Sequence, residues 1–286
     1  MTAELAPPFA YYGGKTTKAA QLAALLPTHR HYVEPFAGSL AVLLAKAPVP
    51  FETVNDLDGS LMTFWRVLRD RGNDLARVCW LTPHSRAEHI NAYTLTDANG
   101  NNLDELEVAR RVWVQLSQGM GGTRRRTGWR HFQDPGDRTT VSMPDYLHAY
   151  VERMTPALRR LRRVSLEARP ALDVIAAYGR HEHVCIYADP PYLGSTRSSR
   201  QYAVEMSSPA EHVELADALK ACSASVVLSG YPSDLYDALY ADWHRLDLAG
   251  FTGQAGTNGR RTEVLWSNRP LGTQPTLWHD NGQENH

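Results

Sequence analysis

The run Val184-Cys185-Ile186-Tyr187-Ala188 is apolar throughout and ends abruptly at Asp189-Pro190-Pro191-Tyr192. A strand without polar alternation is buried on both faces, the condition of a strand inside a parallel sheet covered by helices. Neither proline can donate to a ladder, and Pro190 biases Asp189 toward extended backbone, so the strand must stop with a carboxylate at the sheet's edge. In open α/β sheets, ligands bind just outside such carboxyl ends. Taken alone, the same letters also describe an ordinary strand-ending Asp-Pro turn.

At 286 residues the chain has room for one large α/β domain, or for a core domain carrying a smaller one. It has no apolar run long enough to span a bilayer and no basic leader followed by an apolar segment, so a cytosolic protein is the default expectation. Cys79, Cys185 and Cys222 are scattered and read as small buried hydrophobes. The pairs His29/His31 and His181/His183 lack the neighbours of a zinc site, and no metal is expected. The formal net charge is −1, so bulk electrostatics do not point to nucleic acid. Distribution says more. Arg124, Arg125, Arg126 and Arg130 fall together without an intervening acid, and Arg159, Arg160, Arg162 and Arg163 form a second cluster.

Taken in order, Tyr11-Tyr12-Gly13-Gly14-Lys15 sets two rings beside a flexible backbone, with Lys15 opening an Ala/Leu-rich helix. Residues 31–34 read as a strand, followed by the turn Glu34-Pro35-Phe36-Ala37-Gly38 and a helix for which Ser39 is a plausible N-cap. The Gly-x-Gly-x-x-Gly pattern that seats a pyrophosphate is missing, which disfavours a dinucleotide. A second strand, residues 51–54, ends at Asn55-Asp56-Leu57-Asp58, and an acid at that point is suited to a ribose diol.

These four motifs, Tyr-x-Gly-Gly-Lys, Glu-Pro-Phe-x-Gly, Asn-Asp-x-Asp and, far downstream, Asp-Pro-Pro-Tyr, resemble in identity and order the Dam-like alpha group (D12 class) of DNA adenine-N6 methyltransferases. The resemblance implies a Rossmann-like, S-adenosylmethionine-dependent methyltransferase sheet with an inserted helical target-recognition domain. The corresponding division is a catalytic domain of residues 1–60 and 164–286 and a recognition domain of residues 61–163. The resemblance also implies that Tyr11, Lys15, Glu34, Pro35, Phe36 and Asp56 hold the cofactor, with Asp189 bordering it. A further cofactor contact follows the strand at residues 164–167, where the family often has an aromatic residue and this chain has Ala168.

The insertion carries helical stripes at Leu61/Phe64/Trp65/Leu68 and at Leu103/Leu106/Ala109/Val112/Trp113/Leu116, the second ended by Gly119. Ser142 and Asp145 resemble a capping box opening a third helix, with Leu147, Val151, Met154, Leu158 and Leu161 on one face. Between the second and third helices, residues 119–130 are glycine-rich, basic and aromatic, which predicts an exposed loop or hairpin. Arg124, Arg125, Arg126 and Arg130 could fork onto guanine or pair with phosphates, and Trp129 could stack beside bases. Residues 195–202, with Arg197 and Arg200, read as a segment that orders on DNA. Residues 209–221 read as a helix with Val213, Leu215 and Leu219 inward; strands follow at 225–229, 244–248 and 263–267.

For an adenine-N6 transfer into double-stranded DNA, Asp189 and the Pro190 carbonyl are the expected acceptors for the amine hydrogens, Pro191 stiffens their loop, and Tyr192 stacks on the flipped base. A monomer is enough for this chemistry. Cytosine-N4 transfer uses the same geometry, usually with Ser first in the motif. RNA or protein-amide methylation usually has Asn there. A silent DNA-binding protein keeping the fold is opposed by the intact acids Asp56 and Asp189, and a nicotinamide oxidoreductase by the missing glycine fingerprint.

Overall fold

The computed structural model describes residues 5–132, 141–192, 206, 208–248 and 263–272. Arg197, Arg200 and the Arg260-Arg261 connection lie outside the described residues. The elements run α1 (Ala19–Leu25), β1 (His31–Glu34), α2 (Ala41–Ala45), β2 (Phe51–Asn55), α3 (Gly59–Trp80), α4 (Arg86–Asn91) and α5 (Glu105–Gln118). They continue with α6 (Met143–Glu152), α7 (Met154–Leu161), β3 (Ser165–Glu167), α8 (Ala171–Tyr178), β4 (Val184–Ala188), α9 (Pro209–Lys220), β5 (Ser225–Gly230), α10 (Asp234–Leu239), β6 (His244–Leu248) and β7 (Glu263–Ser267).

Among the described residues the strands form one seven-stranded sheet in the order β3-β2-β1-β4-β5-β7-β6. β1 to β5 pair in parallel, and β7 runs antiparallel to both neighbours. The chain steps outward from β1 to β3, then returns to lay β4 on the other side of β1. That reversal makes the carboxyl ends of β1 and β4 the topological switch point, where open α/β sheets hold ligands. Each of the sequence-predicted strands is present.

Strand periodicity sorts β4 onto two cores. Cys185 and Tyr187 join one hydrophobic cluster with α1, α2, α3, α5, α6 and α7; Val184, Ile186 and Ala188 join another with α8, α9 and α10. The helices of residues 61–163 thus share a core with one face of the sheet, and α3 already begins at Gly59. A buried ion cluster reinforces this join. Glu52 on β2 holds Lys46 at 2.8 Å and the Arg160 guanidinium of α7 at 2.7 Å. Arg160 therefore leaves the exposed basic cluster, while Arg159, Arg162 and Arg163 remain on the surface.

Three local expectations change. α2 is capped not by Ser39 but by Leu40, held in the left-handed region at φ 55°, so the Ser39 hydroxyl makes no cap. The third predicted helix is two, α6 and α7, divided at Arg153. In α9 Leu215 and Leu219 face inward, but His212, bonded to the Tyr236 hydroxyl at 2.9 Å, is buried in place of Val213, which faces solvent.

Candidate active site

A cavity of about 260 Å³ lies at the switch point, just below the usual range of small-molecule sites. Its walls come from the Tyr11–Lys15 turn, the β1 end at Glu34–Phe36, the β2 end at Asp56–Asp58 and the β4 end at Asp189 and Pro191. Three of these segments meet because each follows a strand of the same parallel sheet; the Tyr11–Lys15 turn, which precedes every strand, is brought to them by Lys15 bonding to Asp189.

Asn55, fully buried, ties the β1 and β2 ends to the segment that follows β3. Its amide donates to Pro35 O at 2.9 Å and Arg169 O at 3.0 Å and accepts from Arg169 N at 2.9 Å. Next to it, Asp56 receives Gly38 N at 2.9 Å and Asp58 N at 3.0 Å. Burial nevertheless pushes the Asp56 carboxyl up to about 6. Gly38 sits at φ +47°, and a Cβ there would lie 2.9 Å from the Tyr11 ring; glycine lets that ring pack over the turn. Glu34 accepts Tyr32 Oη at 2.6 Å and Leu43 N at 2.9 Å, and burial raises its carboxyl to about 8, so it is largely protonated at neutral pH.

At the β4 end, Asp189 is held from three directions. Lys15 Nζ lies 2.7 Å from each of its oxygens, Ser229 Oγ of β5 donates to Oδ1 at 2.8 Å, and Tyr192 Oη lies 3.4 Å from Oδ1. Lys15 also contacts Glu263 at 3.1 Å and the Tyr192 hydroxyl. Burial alone would lower the Lys15 ammonium, but Asp189, Tyr192 and Glu263 outweigh it and hold the group well above its ordinary value. Burial raises the Asp189 carboxyl, with Lys15 pulling the other way. The arrangement is an oriented carboxylate whose hydrogen-bonding oxygens border a pocket.

A family model, D12 class N6 adenine-specific DNA methyltransferase, matches residues 11–252. The chain belongs to this family. No curated protein matches it.

The methyltransferase brings Tyr11, Lys15, Glu34, Pro35, Phe36, Asp56, Asp189 and Pro191 to one cavity. Other sequence-predicted residues differ. Ala168 is exposed and off the wall; Pro170, Ala171 and Leu172, where α8 begins, line the cavity instead. Pro190 is buried behind the wall, and Tyr192 is buried with its ring 4.4 Å from that of Tyr231. Ser229, Glu263 and the clamp role of Asn55 were missed. Ser229 and Asn55 at least sit at strand ends, whereas Glu263 opens a strand and carries no local signal.

The basic loop of the methyltransferase is a closed turn, joined by Met120 N to Gly128 O at 2.9 Å and Arg130 N to Gln118 O at 2.8 Å. It is less exposed than its composition suggests. Gly122, at φ +62°, is buried against Ala10, and Tyr12 N donates to Gly122 O at 2.8 Å. Arg124 departs from the expected DNA contact: its Nε lies 2.9 Å from Asp58, and its other nitrogens donate to Gln115 and Ser60. The guanidinium turns inward because Asp58, at the mouth of the cavity, gives it a buried counter-charge. Arg125 and Arg126 remain exposed. Trp129 is half-buried between His84, at 4.4 Å, and His131, at 5.0 Å, and Arg130 lies over the Tyr146 ring.

Proposed function

We propose that the protein transfers a methyl group from S-adenosylmethionine to the N6 amine of an adenine swung out of double-stranded DNA, at a specific sequence. The observation that carries this reading is Asp189, oriented by Lys15 and Ser229, beside a cavity rich in acids. Asp56, Glu211 and Glu214 border that cavity, and its one lysine is already paired with carboxylates. Such a lining disfavours phosphates and suits a cationic ligand with a diol. Bound there, S-adenosylmethionine supplies an electrophilic methyl on a sulfonium.

On this reading Asp56 accepts the ribose hydroxyls, Tyr11 and Phe36 pack on the cofactor, Lys15 neutralises the neighbouring acids, and Glu34 and Pro35 shape the turn. Asp189 and the Pro190 carbonyl accept the two N6 hydrogens, which draws the nitrogen lone pair out of ring conjugation and aims it. Pro191 keeps the loop stiff. The amine is out of reach inside a duplex, so the base must flip; unstacking costs a few kcal/mol and stacking on the Tyr192 ring returns about 1–3 kcal/mol. Residues 61–163 form the target-recognition region, with Arg125, Arg126, Trp129 and Arg130 toward DNA. Arg197 completes this set. A monomer suffices.

Asp189→Ala tests the assignment. Methyl incorporation into DNA falls to background while S-adenosylmethionine binding, followed by calorimetry, persists; near-normal incorporation by this variant overturns the role of Asp189. Sequencing DNA from expressing cells for N6-methyladenine reads the target site, and modified cytosine in its place would move the assignment to N4 transfer.

A further inference from the structure

Glu263 opens β7 with its side chain 6% exposed, and nothing in the scheme above uses it as more than a partner for Lys15. Its Oε1 lies 3.1 Å from Lys15 Nζ and 3.4 Å from Tyr192 Oη, and its Oε2 lies 3.7 Å from Lys18 Nζ. Since Lys15 Nζ also lies 2.7 Å from Asp189, an unbroken chain of acid, ammonium and acid leads from the reacting end of the site. Lys18, 11% exposed at its side chain, stands at the far end. Burying a second carboxylate beside Asp189 is unfavourable, because like charges in a low-dielectric setting repel. One acid would have neutralised Lys15, and Lys18 reaches the second only at 3.7 Å. The second calls for a function.

The reaction provides one. As N6 attacks, the N–C bond forms and the methyl–sulfur bond breaks, the electron pair leaving on sulfur. N6 is then positively charged, with one methyl and two hydrogens. One N6–H bond must break, leaving its pair on nitrogen, and the adjacent acceptor is Asp189. A protonated Asp189 no longer accepts from the next amine.

We propose that Glu263 is the outlet for this proton, drawing it from Asp189 through the Lys15 ammonium. Lys15 takes the proton of Asp189 as it gives one of its own to Glu263, so it stays an ammonium throughout. Asp189 is again a carboxylate, and Glu263 becomes a neutral acid that discharges to water past Lys18. Glu263 is a positioning and relay residue, since it touches neither base nor cofactor. The proposal rests on the methyl-transfer reading.

The test is Glu263→Gln, which keeps the size and the acceptor oxygen facing Lys15 but cannot take up a proton. Methyl transfer in a single turnover stays within about 3-fold of wild type, while steady-state turnover falls by about 100-fold, the lower end of general acid–base effects. The turnover deficit narrows as pH rises, because hydroxide substitutes for the missing acceptor, and Glu263→Asp restores much of the rate. Other groups facing the chain, namely Lys15, Lys18, Glu34, Tyr187, Tyr192 and Tyr236, are common to wild type and variant, so the difference between their pH profiles isolates Glu263. Equal losses in single-turnover and steady-state rates overturn the relay and leave a purely structural contact. Unchanged turnover overturns it as well. Absence of methyl transfer by the wild-type protein would instead refute the parent reading.

Discussion

Replacing Arg124 by alanine separates an internal arginine from a DNA-contacting one. The ion pair with Asp58 is buried, at 8% and 9% side-chain exposure, and Arg124 also satisfies Gln115 Oε1. Breaking a buried pair by deleting one partner costs about 3–5 kcal/mol. Asp58 keeps three other donors, Ser60 N at 3.1 Å, Ser60 Oγ at 2.7 Å and Leu61 N at 3.1 Å, which brings the expected loss to about 2–3 kcal/mol. For a chain of 286 residues that corresponds to a fall in Tm of roughly 3–5 °C. Burial pushes the Asp58 carboxyl up, but Arg124 more than offsets this and holds it below its ordinary value. A depressed carboxyl contributes stability above its unfolded value and loses it as pH falls through the folded one. The gap between wild type and Arg124→Ala therefore closes below about pH 4. Urea titrations at several pH values measure this. In parallel, the slope of log affinity for duplex DNA against log salt is unchanged in Arg124→Ala but shallower by about 0.9 in Arg125→Ala or Arg126→Ala. An Arg124→Ala variant of wild-type stability, with a slope shallower by about 0.9, would refute the internal assignment.

Two further outcomes follow from the cavity. Burial raises Asp56 to about 6, so its ionised form is disfavoured between its ordinary value and that point, and a ligand donating two hydroxyls reverses this. S-adenosylmethionine binding near pH 5.5 therefore releases a proton that Asp56→Asn does not, a difference gone by pH 8; calorimetry in two buffers of unlike ionisation enthalpy reads it, and identical proton release by both proteins at pH 5.5 counts against the ribose role. Gly38→Ala forces a non-glycine residue to φ +47° and drives a methyl against the Tyr11 ring, costing about 1–3 kcal/mol in chemical denaturation and weakening cofactor binding. Unaltered stability would mean that the turn relaxes freely.

The sequence determined the sheet, because what makes a strand in a parallel sheet is local: a run such as Val184–Ala188, buried on both faces, stopped by Asp189-Pro190-Pro191. It also determined the family, since the motifs at Tyr11–Lys15, Glu34–Gly38, Asn55–Asp58 and Asp189–Tyr192 are short contiguous strings. Pairing and facing were decided elsewhere. Lys15 meets Asp189 across 174 positions, and Glu263 meets Tyr192 across 71, because β7 slots between β5 and β6. No local pattern records such an encounter. Arg124 looked like its neighbours Arg125 and Arg126 until Asp58, 66 positions away, supplied a buried counter-charge. Likewise, whether Ala168 or Pro170 reaches the cavity depends on where α8 leaves the sheet. Backbone preference and hydrophobic periodicity are properties of neighbours in the chain; the charge state and exposure of a side chain belong to its neighbours in space.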